Sequence, residues 1–195
     1  MNLRLFVALE PPDPVRRRLG ALQERLRREA GRHADEVRWV DPSNVHLTLQ
    51  FLGAVPEERV PAISEALAEV AASSRPLRLE LRGAGGFPSA RRPRVVFTGL
   101  GGDLEALGEL VSRLGERLGP LGFPPEERAF SPHLTQGRAR DRRGAPGLGG
   151  AIAGAASDES TAWRAEEVVL FRSELSPAGA RYQALGRWRL GVPGP

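Results

Sequence analysis

The sequence predicts an α+β fold in which antiparallel sheets carry helices on their outer faces. Three observations predict it. Short β-rich runs bounded by turn residues recur, as in Val95-Val96-Phe97-Thr98, and three longer stretches repeat apolar residues at helical spacing. The two kinds of segment also mix without the strict alternation of a doubly wound sheet. With 195 residues, 41% apolar and 27% charged, the chain should bury an ordinary core, and one two-lobed domain over residues 1–195 is expected.

Leu3 to Leu9 reads as a buried strand with a single charge, Arg4. Pro11-Pro12-Asp13-Pro14 stops it and opens a helix whose Val15, Leu19, Leu22 and Leu26 share one face. Val37 to Val40 is a short strand ended by the turn Asp41-Pro42-Ser43-Asn44, and Val45 to Leu52 is another, closed by Gly53. Pro56 to Ala72 reads as a second helix, with Pro61 in its first turns and Val60, Ile63, Leu67 and Val70 facing inward. A strand over Leu77 to Leu81 precedes a loop, Gly83 to Pro88; Arg94 to Leu100 is a strand and Asp103 to Leu118 a third amphipathic helix. A strand is expected from about Ala129 to Arg138. Arg140 to Asp158, rich in Gly, Ala and Arg and without period, reads as a surface loop. Glu166 to Arg172 and Arg181 to Leu190 are the last strands, with a turn at Ser176-Pro177-Ala178-Gly179.

Composition excludes several chemistries. There is no cysteine, hence no disulfide framework, thiolate zinc site or cysteine nucleophile. All 28 basic residues are arginine, as a GC-rich coding sequence tends to give. The absence of lysine removes a Walker A loop, a lysyl-nucleotide intermediate and a lysine Schiff base. A net charge of +4 is compatible with a nucleic-acid partner without requiring one. No apolar run would span a bilayer, and Met1 to Glu10 lacks the features of a signal peptide, so a soluble, cytoplasmic protein is expected, with no membrane partner. No carboxylates stand at ligand spacing to the histidines; neither a metal site nor a cofactor is expected.

The residues that carry chemistry are two tripeptides, His46-Leu47-Thr48 and His133-Leu134-Thr135, which use two of only three histidines and two of four threonines. Both lie in predicted strands, one in each half of the chain. Alternation along a strand turns His46 and Thr48 to one face, and His133 and Thr135 likewise, while Leu47 and Leu49 face the core. Two such strands across a cleft would supply a general base, a general acid and two hydroxyl donors, the set that in-line cleavage of a phosphodiester needs. Histidine suits both proton roles near neutrality. Spacing alone leaves open which histidine is acid and which base. His33, in the polar stretch Gly31 to Asp35, reads as an exposed bystander.

These motifs resemble those of the two-histidine phosphoesterase superfamily, specifically the RNA 2',3'-cyclic phosphodiesterases, also called 2'-5' RNA ligases. The likeness covers nearly the whole chain. Arg4 to Leu9 is similar to the family's first strand, and Asn44 to Gly53 to its first histidine motif. Gly86-Phe87-Pro88 with Arg94 to Phe97 resembles its middle section, and Phe130 to Thr135 its second motif. Ser173-Glu174-Leu175 with Gly179 to Tyr182 resembles its C-terminal signature. The resemblance implies a bilobal fold of pseudo-two-fold symmetry, with antiparallel sheets lining a central cleft. It also implies metal-independent opening of a 2',3'-cyclic phosphate at an RNA end to leave a 2'-phosphate. By the same analogy His46 is the proton donor to the departing 3' oxygen and His133 the proton acceptor from water. Thr48 and Thr135 hold the phosphate, and Arg138 matches a phosphate-site arginine. Because arginine does not titrate near neutrality, removing Arg138 is expected to weaken binding and leave the pH optimum in place. Alternatives are 2'-5' joining of RNA ends and an RNA-binding module without turnover. A monomer acting on RNA ends is expected.

One residue departs from the pattern. Gln136 stands where the family carries an apolar residue, so either the strand is shallow there or the amide finds a partner, since a buried unpaired amide costs about 1–3 kcal/mol. Arg91, Arg92 and Arg94, and Arg140, Arg142 and Arg143, could line an RNA path or form solvated faces. Phe6, Phe51 and Trp163 are candidates for stacking a terminal base, with nothing in the sequence to choose among them.

Overall fold

The structure, a computed structural model, describes residues 1–155, 161–176 and 179–191. Strand β1 (Asn2–Leu9) leads into helix α1 (Asp13–Ala30), which starts on Pro12 with Asp13 in its first turn and ends with Arg27 and Arg28 before Gly31. Acid at the start and base at the end both favour the helix dipole, and Gly31 stops it at a positive φ of 56°. Then follow β2 (Val37–Trp39), β3 (Leu47–Pro56), α2 (Val60–Ala72) and β4 (Leu77–Phe87). The second half runs β5 (Val95–Gly102), α3 (Leu104–Leu118), β6 (His133–Ala139), the short α4 (Gly149–Gly154), β7 (Ala162–Ala165), β8 (Glu167–Ser176) and β9 (Gly179–Arg189).

The strands form two antiparallel sheets, ordered β3-β1-β8-β9 and β2-β6-β5-β4-β7. The order exposes a duplicated plan. Apart from the added strands β2, β7 and β9, each half contributes a strand, a helix, a strand, a helix and a strand, and the last of these crosses to the other half's sheet: β4 pairs with β5, and β8 with β1. The expected α+β fold with pseudo-two-fold symmetry is found, and β3 and β6 take equivalent places beside β1 and β5.

Alternation along β1 divides its two faces. Leu3, Leu5, Val7 and Leu9 enter the main core, with Ile63, Leu67 and Val70 of α2 and Leu107, Leu110 and Leu114 of α3. Phe6 and Ala8 turn the other way, into a small cluster with Val169, Phe171 and Tyr182. Each fully buried leucine stabilises the fold by about 1.5–3 kcal/mol relative to exposure.

Four sequence expectations are corrected. Gly53 does not close β3; at φ 73° it carries the strand past a register shift to Pro56. Gly83 to Phe87 is strand rather than loop. A Cβ on Gly85 would lie 2.5 Å from the Phe97 ring, and one on Gly86 2.7 Å from Pro93, so these glycines admit close neighbours. β6 starts at His133, later than expected. Residues 140–143 are exposed as expected, but 144–155 are not a surface loop: Ala145, Leu148, Ala151, Ile152 and Ala155 are buried against Leu26 of α1, Val37 and Val96. Residues 156–158, and the turn residues Pro177 and Ala178, lie outside the described residues.

Candidate active site

Strands β3 and β6 belong to different sheets yet approach one another, which brings the two tripeptides to one seam. His133 opens β6 and pairs with Gly99, while Thr135 pairs with Phe97, so both side chains share the face of β5 that carries Phe97. Strict alternation would turn Arg138 to the other face. The register instead shifts between Val96/Gly137 and Phe97/Thr135, leaving Gln136 as the extra residue. Arg138 therefore returns opposite Val95, on the face of His133 and Thr135. The first lobe repeats the device. Thr48 pairs with Ala8 and Phe51 with Phe6 across a shift at Leu49, so Thr48 and Phe51 share a face. Five residues after its histidine, one motif presents phenylalanine and the other arginine.

The two imidazoles are held alike. Nδ1 of His46 lies 2.9 Å from the carbonyl oxygen of Asn44, and Nδ1 of His133 lies 2.7 Å from that of Ser131, in each case two residues upstream. A carbonyl only accepts, so each Nδ1 carries hydrogen and Nε2 is the nitrogen left for chemistry. Both rings rest on aromatic beds. His46 packs on Phe6 at 4.6 Å between centroids and edge-on to Tyr182 at 5.0 Å. His133 meets Phe87 at 5.0 Å and Phe97 at 5.5 Å, and those two rings stack on each other at 4.3 Å.

Burial is the main cause that holds His46 below the ordinary histidine range, because the charged ring loses solvation. The hydrogen bond to Asn44 and the charge of Glu10 pull it upward, while the charges of Arg138 and Arg16 push it down. Arg138, from the second lobe, thus acts electrostatically on the histidine of the first. Burial raises the Tyr182 phenol, with Arg138 and Arg4 opposing. The Thr48 and Thr135 hydroxyls and the exposed Arg138 guanidinium make no hydrogen bond or ion pair among the described residues, so all three are available to a ligand.

Gln136 is completely buried and finds partners. Its amide donates to Thr98 Oγ1 at 3.0 Å and to the Leu19 carbonyl at 3.4 Å, and its Oε1 accepts from Gln23 Nε2 at 3.3 Å. Gln23, itself buried, also donates to the carbonyls of Val40 (2.7 Å) and Gln136 (3.1 Å). This network holds the bulge that turns Arg138.

His33 lies outside the seam, and it is not a free bystander: its Nδ1 is 2.6 Å from Glu36 Oε1, and its ring fills the space beside Gly147. Of the stacking candidates, Trp163 is core and Phe6 is buried beneath His46; Phe51 is 54% exposed on the Thr48 face. The loops bearing the two arginine clusters touch, through Ala145 N–H to the Pro93 carbonyl at 2.9 Å. Sequence reasoning gave no role to Tyr182, although it is the sole tyrosine, nor to Glu10 or the Phe87–Phe97 bed. Among the described residues, no cluster of three or more His, Asp and Glu side chains could hold a metal ion, and no helix is long and apolar enough to cross a membrane.

Fold and paired motifs place the chain among the phosphoesterases. The profile of the LigT like phosphoesterase family matches residues 9–97 and 103–182, and the chain belongs to that family. A Methanothermobacter thermautotrophicus protein named RNA 2',3'-cyclic phosphodiesterase is 34% identical over 97% of this chain and 100% of its own length. A Thermus thermophilus protein of the same name is 35% identical over 96% and 90%. Among solved structures, one from Thermus thermophilus superposes with a TM-score of 0.77 at 29% identity, covering 97% of this chain and 98% of that one. Escherichia coli LigT complexed with 3'-AMP superposes at 0.72 and 26% identity, covering 97% and 99%.

Proposed function

We propose that this protein hydrolyses the 2',3'-cyclic phosphate at an RNA end to a 2'-phosphate, without metal, through His46 and His133. The observation that carries the reading is the matched pair of imidazoles, each fixed through Nδ1 on a backbone carbonyl so that Nε2 is free. The relatives named RNA 2',3'-cyclic phosphodiesterase support the substrate.

In the proposed step His133 Nε2 takes a proton from water as its oxygen bonds to phosphorus. The bond from phosphorus to the 3' oxygen breaks, and His46 Nε2 delivers its proton to that oxygen. Thr48 and Thr135 donate hydrogen bonds to the non-bridging oxygens, and Arg138 meets their charge with its planar fork. A depressed His46 is a strong acid once protonated, and the arriving anion offsets the arginine charges that hold it down. Phe51 is the exposed surface on which a terminal base stacks.

The assignment is tested with a substrate whose bridging 3' oxygen is replaced by sulfur, a leaving group that needs no proton. His46→Ala should be largely rescued on it and His133→Ala should not. Rescue of His133→Ala alone would reverse the roles. Failure of the wild-type protein to open any 2',3'-cyclic phosphate would refute the activity itself. A 5'-hydroxyl oligonucleotide in place of water tests 2'-5' joining in the same assay.

A further inference from the structure

We infer that Arg38 holds the phosphate next to the one that reacts, so that the site selects the end of an RNA chain over a cyclic mononucleotide. This rests on the function proposed above. On edge strand β2, Arg38 pairs directly with Arg138, and directly paired residues share a face. One row of the sheet thus runs Arg38, Arg138, Val95, Phe87, and its inner end is the bed of His133. Arg38 stands one strand further from that bed than Arg138 does.

The pair is costly as it stands. Like charges directly opposite on neighbouring strands repel, with Cβ atoms about 4.5–5.5 Å apart. Both arginines are exposed, and neither makes an ion pair among the described residues. Two carboxylates close to Arg38 in sequence are engaged elsewhere, Glu36 with His33 and Asp41 with Ser43. The strand is held close all the same, because Gly137 leaves room for Val37 and Trp39 of β2. Two unpaired guanidinium groups on directly paired positions of neighbouring strands, each on a long side chain, can reach successive phosphates of a single strand. With Arg138 on the reacting phosphate, Arg38 falls to its neighbour, a group that adenosine 2',3'-cyclic phosphate lacks.

The test compares adenosine 2',3'-cyclic phosphate with a trinucleotide ending in a 2',3'-cyclic phosphate, for wild type, Arg38→Gln and Arg38→Lys. Arg38→Gln should raise KM for the trinucleotide more than for the mononucleotide, by about 10-fold, the scale of one hydrogen bond to a charged group. Arg38→Lys should recover part of that. Binding of a 2'-phosphorylated trinucleotide, read by fluorescence anisotropy, should lose about 0.7 from its log–log salt slope in Arg38→Gln, the share of one phosphate contact on a single strand. Equal losses on both substrates, or an unchanged salt slope, would overturn the inference. If the wild type opened neither substrate yet binding kept its Arg38-dependent slope, the proposed activity would fall and the inference would stand.

Discussion

Replacing Gln23 by leucine tests whether the buried amide network aims Arg138. The substitution removes the donor at 2.7 Å from the Val40 carbonyl, 3.1 Å from the Gln136 carbonyl and 3.3 Å from Gln136 Oε1. The Gln136 carbonyl still accepts from the Val40 N–H at 2.8 Å, and Val40 lies close enough to the surface to take water. One acceptor is orphaned in the interior, Gln136 Oε1, at a cost of about 1–3 kcal/mol. Gln136→Leu should be milder, about 1 kcal/mol, because Gln23 keeps two carbonyl acceptors and the Thr98 hydroxyl can rotate. Combined, the two should cost less than their sum by at least about 0.5 kcal/mol, since the second removes what the first orphans. Urea melts of the four proteins measure the cycle, and KM measured alongside should rise most in Gln23→Leu, where the bulge is least held. Strict additivity, or a neutral Gln23→Leu, would show that the network does not bear on the bulge.

Replacing His46 or His133 by alanine should slow opening of a cyclic phosphate about 10²–10⁴-fold, with the double variant little worse; His33→Ala should keep wild-type kcat, and steady-state kinetics check all four. Arg138→Ala should raise KM and, contrary to the sequence-based expectation, move the pH profile: deleting its charge removes one cause that lowers His46, so the limb set by loss of the His46 proton shifts to higher pH. A profile superimposable on wild type would contradict that coupling. Gly85→Ala should displace the Phe97 ring beneath His133, lowering stability by about 1–3 kcal/mol and kcat by up to about 10²-fold, and Phe97→Leu in the same chain should restore stability. Activity should survive excess EDTA; strict dependence on an added divalent metal would defeat the proposed mechanism.

Elements whose pattern repeats along their own length were legible in the sequence. Val15, Leu19 and Leu26 do line the buried face of α1, and the strands β1, β2 and β5 stand where their apolar runs put them. What sequence misread was decided by neighbours distant in the chain. Gly83 to Gly86 has the composition of a loop, and only the Phe97 ring and Pro93, brought alongside by pairing, make a strand of it. The Ala- and Gly-rich stretch around α4 lacks a period, yet small residues suffice where α1 and sheet already offer an apolar wall. The side-by-side setting of histidine and threonine followed from alternation, but the return of Arg138 to that face did not. A bulge is invisible to a period of two, and the amide that anchors it comes from Gln23, 113 residues away.

The duplicated plan also frames how the two halves of the site differ. Two halves related by symmetry offer two imidazoles held alike, each with Nδ1 on a carbonyl two residues upstream, and it is what surrounds the rings that differs. His46 has three aromatic neighbours, Phe6, Phe171 and Tyr182, and feels Glu10, Arg16 and Arg138. His133 has two, Phe87 and Phe97. The residue five places after each histidine breaks the symmetry in the same sense, an apolar ring in one lobe and a cation in the other. A bound nucleotide has the same polarity, a flat base at one end and a charged phosphate at the other. On the proposed function, the two lobes are alike enough to set two imidazoles beside one phosphorus atom and different enough to accept the nucleotide in one orientation, which decides whether the 3' or the 2' oxygen leaves.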